Sequence, residues 1–588
     1  MKLKIMPYSN GSRKTVQVQF NGYNHTASCS EGQIWDEKNI SGRAFPYIRP
    51  LRVRTVWGRD CDNGVFAHDA MGWINGTELW YDDHMVGYVE DSRKTIVAMG
   101  NRIVIFPDKV VLNASYKRLG VYASLSDLEE AVTEPKEFDA YGVGTGVPYE
   151  IYVWNGKEWI SNGKELEPME ISHEFEGVKF KSGTYKGVEA DANTMEFQED
   201  VEDLGFKVGD GVHISGCTTH PENNKTPIIR EIEGKQIRFY ENCFVLDQEA
   251  SEDEEGNDSE DDSKLGLKEY TEPGTITIRR TIPDLDMVCA VDNRLWGAKD
   301  DTIYASKLGD PMNFYCMDGL TDDSWAQETG TPGVFTGCCS YLGYPMFFKE
   351  GHIFKIYGKN AENFQPSKSA TMGVKQGAGM SLAVAGEVLY YLSPNGLVAY
   401  TGGIPESVAA PFGEVRYQTA VSGSDGRRLY MCMERVNGEK ELFCLDTDTG
   451  LLCREDDLDI TRWCCHEGDL YGLQEDGGVV IINRDDGACL DSYVEFGDFM
   501  ESSLDRKTAT RLQMRVQLEE GAELQLFIQY DSDGVWKRAK TMTATKKHSF
   551  SFPIPIRRCD HYRIRLEGKG YWELQSMARE YYTGSGVH

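Results

Sequence analysis

Apolar and polar residues alternate in short runs along most of this chain, the period-two pattern of half-buried strands. Thr95–Asp108 is representative: two apolar runs flank a Gly100-Asn101 turn. The alternation is cleanest in Arg511–Leu518, Leu524–Tyr530 and Asp560–Gly568. The runs are rich in Val, Ile, Tyr and Phe, and Gly, Asn and Asp separate them, as turn chemistry requires. One stretch, Ser124–Val132, reads as a helix. Ser124 or Ser126 supplies its cap, and carboxylates follow near the positive end of its dipole. The pattern predicts a nearly all-β chain.

A degenerate hairpin repeats within it. Leu79-Trp-Tyr, Met346-Phe-Phe, Leu389-Tyr-Tyr, Leu429-Tyr-Met and Leu470-Tyr-Gly each open a strand, with a turn and a second strand after it; Arg294-Leu-Trp-Gly before Thr302-Ile-Tyr-Ala is another case. From residue 290 to 483 the spacing is roughly 40–50 residues, the period of a four-stranded propeller blade. A sandwich requires no such self-similarity, so the expected fold is an all-β propeller with inserted domains. Its first part spans 1–116 and its second 286–493. Between them lie a small helix-and-hairpin module (117–164, turn at Asn155-Gly156) and a β-barrel-like domain (165–285). Residues 494–588 form a terminal β-sandwich in this reading. Glu249–Asp262 holds nine carboxylates and almost no apolar residue, and reads as a solvated loop.

Composition narrows the function classes. With 62 Lys+Arg against 94 Asp+Glu the formal net charge is −32, a field that repels phosphate and argues against a basic nucleic-acid-binding surface. At 588 residues there is room for several domains and a large core. No apolar run is long enough for a membrane-spanning helix, and the amino terminus lacks a signal-peptide pattern. The 15 cysteines are odd in number, form no C-x-x-C pair and often sit in apolar strands, as do Cys289, Cys432 and Cys444; Cys338-Cys339 and Cys464-Cys465 are adjacent. That usage fits reduced thiols in a protein made in a cytoplasm better than disulfides or zinc.

No strong catalytic motif is present: H-E-x-x-H, G-x-S-x-G and the P-loop are all missing from the sequence. The 11 histidines are scattered, and His213, inside a strand, reads as a packed or surface residue. Gly142-x-Gly144-x-Gly146 suggests a phosphate cradle, but that mechanism needs a following helix, whereas Pro148 and a strand come next; a turn is the better reading. Asp446-Thr-Asp-Thr-Gly450 and Asp531-Ser-Asp-Gly534 resemble the start of a calcium loop without the full ligand pattern, and read as hairpin turns. Paired carboxylates for glycoside hydrolysis have ample raw material, but abundance is not placement. Trp154 and Trp159 have the chemistry to stack on a sugar; flanking a turn, they read as local core. No catalytic, cofactor-binding or metal-ligating residue is assigned, and no cofactor is expected.

Several segments together carry a resemblance. Glu31-Gly-Gln-Ile-Trp-Asp-Glu-Lys-Asn-Ile-Ser-Gly-Arg-Ala-Phe-Pro-Tyr-Ile-Arg-Pro, Arg102-Ile-Val-Ile-Phe-Pro-Asp-Lys, Asn293-Arg-Leu-Trp-Gly with Ile303-Tyr-Ala-Ser-Lys-Leu-Gly-Asp-Pro, and Phe347-Phe-Lys-Glu resemble bacteriophage virion proteins built on a β-propeller. The comparison is with the nozzle, or packaged-DNA stabilisation, proteins of short-tailed phages and related tail proteins. It covers roughly 1–115 and 286–493; the region Tyr141–Trp159 is similar to small modules decorating phage tail proteins. The large insertion and terminal sandwich depart from the simplest nozzle pattern. The resemblance implies a non-enzymatic virion protein, made in the bacterial cytoplasm and located in the tail. It would form a homo-oligomeric ring with other tail proteins around the DNA channel. The charge of −32 is compatible with such a conduit, since an acidic lining repels DNA and lets it slide during ejection. The alternative from another class is a carbohydrate-binding or glycan-hydrolysing propeller acting in host recognition.

Overall fold

The computed structural model describes residues 12–185, 188–240, 243–246, 269–484, 486–543 and 548–583; the acidic stretch Glu249–Asp262 lies outside them. The described residues are nearly all β, in many small antiparallel sheets, with one α-helix at Leu125–Ala131. Ser124 caps that helix, its hydroxyl accepting from the Asp127 amide, as the sequence predicts. The chain divides into two compact units: Met1–Gly76, Lys349–His352 and Ala370–His588, and Thr77–Phe348 with Ile353–Ser369.

In the first unit three four-stranded sheets follow one another. The first comprises Ala383–Ala385, Val388–Ser393, Gly396–Tyr400 and Glu406–Ser407. The second comprises Tyr417–Ser424, Arg428–Arg435, Lys440–Asp446 and Leu451–Asp456. Ile460–His466, Asp469–Gln474 and Val479–Ile481 make the third, and Thr55–Val56 completes it by pairing with Ile481 and Val480. The repeated motif marks the second strand of each sheet, where Leu389, Leu429 and Leu470 are buried. Tyr430, Cys432 and Leu442 of one sheet share an apolar cluster with Ile460, Leu470 and Val480 of the next, so these neighbours pack face to face. Gly64–Ala67 and Met71–Asn75 add a hairpin.

The terminal segment forms two further sheets over one core, which includes Leu512, Met514, Val516, Leu524, Ile564 and Leu566. One orders Arg13–Gln17, Trp572–Thr583, Lys507–Leu518 and His548–Pro553; the other orders Ile34–Lys38, Ser492–Phe496, Tyr562–Lys569, Glu523–Tyr530 and Lys537–Met542. The alternation of Arg511–Leu518 thus does place one face in a core. Two of these strands, Arg13–Gln17 and Ile34–Lys38, come from the stretch read as the first part of the repeat. Gly568 shows how tightly the core closes: a β-carbon there would sit 1.9 Å from the Trp572 indole nitrogen, which donates to the Ser492 hydroxyl at 3.0 Å.

The second unit holds the hairpin Glu78–Tyr81 with His84–Tyr88 and three more four-stranded sheets. Thr95–Met99, Arg102–Phe106 and Val110–Asn113 are joined by Leu166–Pro168. Met287–Val291, Arg294–Lys299, Thr302–Ala305 and Trp325–Glu328 follow, then Gly337–Tyr341, Tyr344–Lys349, His352–Tyr357 and Gln365–Ala370. Here too neighbours share cores, Val104 and Phe106 with Val288 and Leu295, and Trp296 with Phe347 and Phe354.

Two excursions leave this series. The first is a sheet of Arg118–Tyr122, Ala140–Val143, Glu150–Trp154 and Trp159–Lys164 with the helix, returning to Leu166–Pro168. That three-residue strand lies within the stretch read as the second insertion; one buried leucine in so short a run carries no period to detect. The second excursion encloses Phe175, Phe180, Met195, Ile214, Ile237 and Ile278 between a three-stranded and a five-stranded sheet.

Candidate functional site

The most distinctive chemistry among the described residues lies where the chain departs from and rejoins its sheets. Arg118 opens the first excursion and Glu165 ends it, and their side chains form a buried ion pair. The Arg118 guanidinium also donates to the Met85 carbonyl at 3.3 Å and lies 5.1 Å above the Tyr149 ring. Burial pushes the Glu165 carboxyl up to about 7, with Arg118 opposing that rise.

The neck of the second excursion is built alike. Arg280, on its last strand, donates to the Met169 carbonyl at 3.1 Å where the chain departs, and pairs with buried Asp210 at 2.9 Å. Burial raises the Asp210 carboxyl and Arg280 pulls it back. Lys109 completes the neck, reaching Glu170 at 2.9 Å on the outgoing chain and Asp284 at 2.6 Å on the returning one.

The same device recurs in the first unit. Arg54, immediately before the closing strand Thr55–Val56, is held by Glu455 at 2.6 Å and by Asp456, both ending a strand of the preceding sheet. Arg579 joins Glu501 at 2.7 Å and Glu31 at 2.8 Å, tying the amino-terminal segment to the sandwich. Arg454 reaches Asp36 at 2.9 Å and Glu441 at 3.0 Å, and Tyr417 donates to Glu441 at 2.8 Å. Beside them Glu37 is fully buried and accepts the Arg454 amide at 2.8 Å; burial pushes its carboxyl up to about 8.

The positions singled out in the sequence have structural partners. Asp446 accepts the amides of Asp448 and Thr449 at 3.2 Å and pairs with Arg427 at 3.0 Å, a turn clamp. Asp533 likewise accepts the Val535 amide and pairs with Arg557 at 2.6 Å. His213 meets the Thr226 hydroxyl at 2.8 Å and the Tyr315 ring at 4.6 Å; burial, then Arg279, lowers its pKa and favours the neutral ring. Gly142 lies inside the strand Ala140–Val143 and Gly144 just after it, and the next element is the strand Glu150–Trp154. The fifteen cysteines are free thiols, most of them buried. Among the described residues no cluster of three His, Cys, Asp or Glu has the spacing for a metal ion, and no helix is long and apolar enough to cross a membrane. Trp154 and Trp159 sit opposite each other in register, on the face away from the core of Ala140, Ile151 and Val153. There they pack on each other and on Tyr141 as a half-buried local cluster.

Two clefts open on the sandwich. One, of about 270 Å³, is lined by Asp491, Glu523 and Glu567 among others. There Glu567 lies 3.1 Å from Arg565, Asp491 4.0 Å from Lys569, and Glu523 accepts from the Gln525 amide. The other, of about 570 Å³, is lined by Glu31 and Asp498, which pair with Arg579 and Arg563. Glu31, Asp498 and Glu567 thus have close cationic partners, while Asp491 is mostly exposed. Sequence reasoning missed the necks because each partner lies far from the other along the chain; the one signal was an Arg or Lys at the edge of an apolar run.

No protein-family model matches the sequence, and no curated protein matches it. Among solved structures, an exo-β-1,3-galactanase from Phanerochaete chrysosporium with galactose is similar at 8% identity and a TM-score of 0.21, covering 49% of this chain and 92% of that one. A glycoside hydrolase family 43 arabinoxylan arabinofuranohydrolase from Bacillus subtilis is similar at 9% identity and a TM-score of 0.17, covering 48% and 75%. The extracellular domain of a hybrid two-component system from B. thetaiotaomicron matches over 93% of this chain and 99% of its own, at 9% identity and a TM-score of 0.18. At TM-scores this low the likeness carries no argument about activity.

Proposed function

We propose that this chain is a structural component of a bacteriophage tail, in which the four-stranded sheets form the blades of a β-propeller and copies assemble as a ring around the DNA channel. The observation that carries this reading is the set of buried Arg–carboxylate clamps at the module necks, beside the closing strand and within the sandwich. Buried pairs add little net stability over apolar packing, but they are directional, and a broken pair is costly. Clamps where the two excursions leave their sheets fix the orientation of each module, as a rigid assembly needs. Completion of the last sheet by Thr55–Val56 supports the propeller, since closing a ring with the two ends of a chain protects its edges. In the larger cleft the two acids, Glu31 and Asp498, are each held by an arginine rather than facing one another as a free catalytic pair.

The test is mass spectrometry of density-purified phage particles from the source host, with copies counted against the major capsid protein. A small-ring stoichiometry per particle supports the reading. Absence from intact particles overturns it and brings forward the glycan-processing alternative.

A further inference from the structure

The small sheet of the first excursion carries half-buried aromatic residues on the face away from its core. Alternation along its strands sends Ala140, Ile151 and Val153 to the core side and Tyr141, Tyr152, Trp154 and Trp159 to the other. Tyr141 lies opposite Tyr152, and Trp154 opposite Trp159. Tyr122 joins from the first strand, its ring 5.6 Å from Tyr141. Trp159 meets Tyr141 at 5.7 Å and Trp154 at 5.3 Å, both edge-to-face, so the rings form one aromatic cluster. All four strands contribute, and the five aromatics are only partly buried.

From this geometry we infer that the outer face of the small sheet is a binding platform for neutral polysaccharide. A pyranose ring has an apolar C–H face that stacks on an aromatic ring and an equatorial belt of hydroxyls that needs polar partners. Glu150, which accepts the Ser161 hydroxyl at 2.6 Å on the same face, stands at its rim with acceptor oxygens for sugar hydroxyls. Charge selects the class of ligand. Residues 118–164 carry eight carboxylates against four cations, and one of those cations, Arg118, is committed to Glu165 at the neck. That field repels nucleic acid, phosphate and acidic glycans and is indifferent to neutral sugars. A cluster of half-buried aromatics outside the core of its sheet is the kind of surface that binds a partner. The phenol hydroxyls and indole N–H groups suit a hydrated sugar chain better than a dry aliphatic interface. This inference does not depend on a place in a virion.

Calorimetric titration of the full chain with cellohexaose, chitohexaose, xylohexaose and mannohexaose tests it, with tryptophan fluorescence as a second readout. The expected result is saturable binding of at least one hexasaccharide. A double Trp154→Ala, Trp159→Ala variant should weaken it at least tenfold, while Trp159→Phe, which keeps a stacking ring, should retain most of it. Both indoles lie outside the core of the sheet, so the double variant should keep its circular dichroism spectrum. A double variant that loses its fold shifts the comparison to Tyr152→Ser, with the same expected loss of binding. Binding of none of the four sugars, or binding that none of these substitutions weakens, overturns the inference. So does sedimentation showing that the rings hold two copies together without binding sugar.

Discussion

Arg118 and Glu165 sit a few per cent exposed at the neck of the small module, so each depends on the other for its charge. Removing one partner leaves a buried, unpaired group and costs about 3–5 kcal/mol, whereas replacing both with apolar residues is often near neutral. Arg118→Ala should therefore lower the urea midpoint clearly, and an Arg118→Met, Glu165→Leu double variant should recover most of the loss. Glu37 gives a pH signature of its own. Its carboxyl titrates near 4.5 when unfolded and at about 8 in the folded chain, because burial disfavours the anion. The folded state holds that proton more tightly. Its contribution to stability is complete below pH 4.5 and is lost as pH rises through 8. Around it, the Arg454 amide and guanidinium favour the anion, while Asp36 opposes it. Thermal melts between pH 6 and 9 should show a decline for the native chain that Glu37→Gln flattens.

At the scale of elements, the closing strand is the most exacting feature. Thr55–Val56 is only two residues long, yet it completes a sheet built from the far end of the chain. Its neighbour Trp57 donates to the Val479 carbonyl at 2.8 Å, and Thr55 to the Arg484 carbonyl at 3.4 Å. Thr55→Pro removes one of those donors and restricts Arg54, the residue that clamps the strand to the preceding sheet. Amide exchange in Val479–Ile481 and Asp469–Gln474 should then quicken, with the sandwich amides unaffected; uniform acceleration would mean that the strand is no separate lock. The helix, by contrast, was legible residue by residue. Ser124, the acidic first turn and a buried Leu128 are local features, and local features are what a sequence pattern records.

For the molecule as a whole, −32 charges impose a condition on any self-assembly. Copies of an acidic chain repel one another, and salt screens that repulsion over about 8–10 Å near physiological ionic strength. If copies form a ring, sedimentation should show association strengthening from low to physiological salt; association that weakens instead would mean contacts carried by cross-subunit ion pairs. The repeat that suggested blades is legible because each sheet buries one apolar residue at the same place in its second strand, as Leu389, Leu429 and Leu470 do.

The sequence by itself determined the β class, the single helix, the hairpin turns and the alternating strands of the terminal segment. Each of these depends on a period or a turn residue within about ten positions. Only the tertiary structure decided which strands share a sheet. Arg13–Gln17 and Ile34–Lys38 lie in the sandwich, and Leu166–Pro168 returns to a sheet its chain had left. It also decided which acids are buried against which arginines, and that Trp154 and Trp159 face away from the core. The reason is physical: an edge strand takes whichever neighbour offers unpaired backbone groups, and an ion pair forms across any distance in sequence once burial makes an unpaired charge too costly.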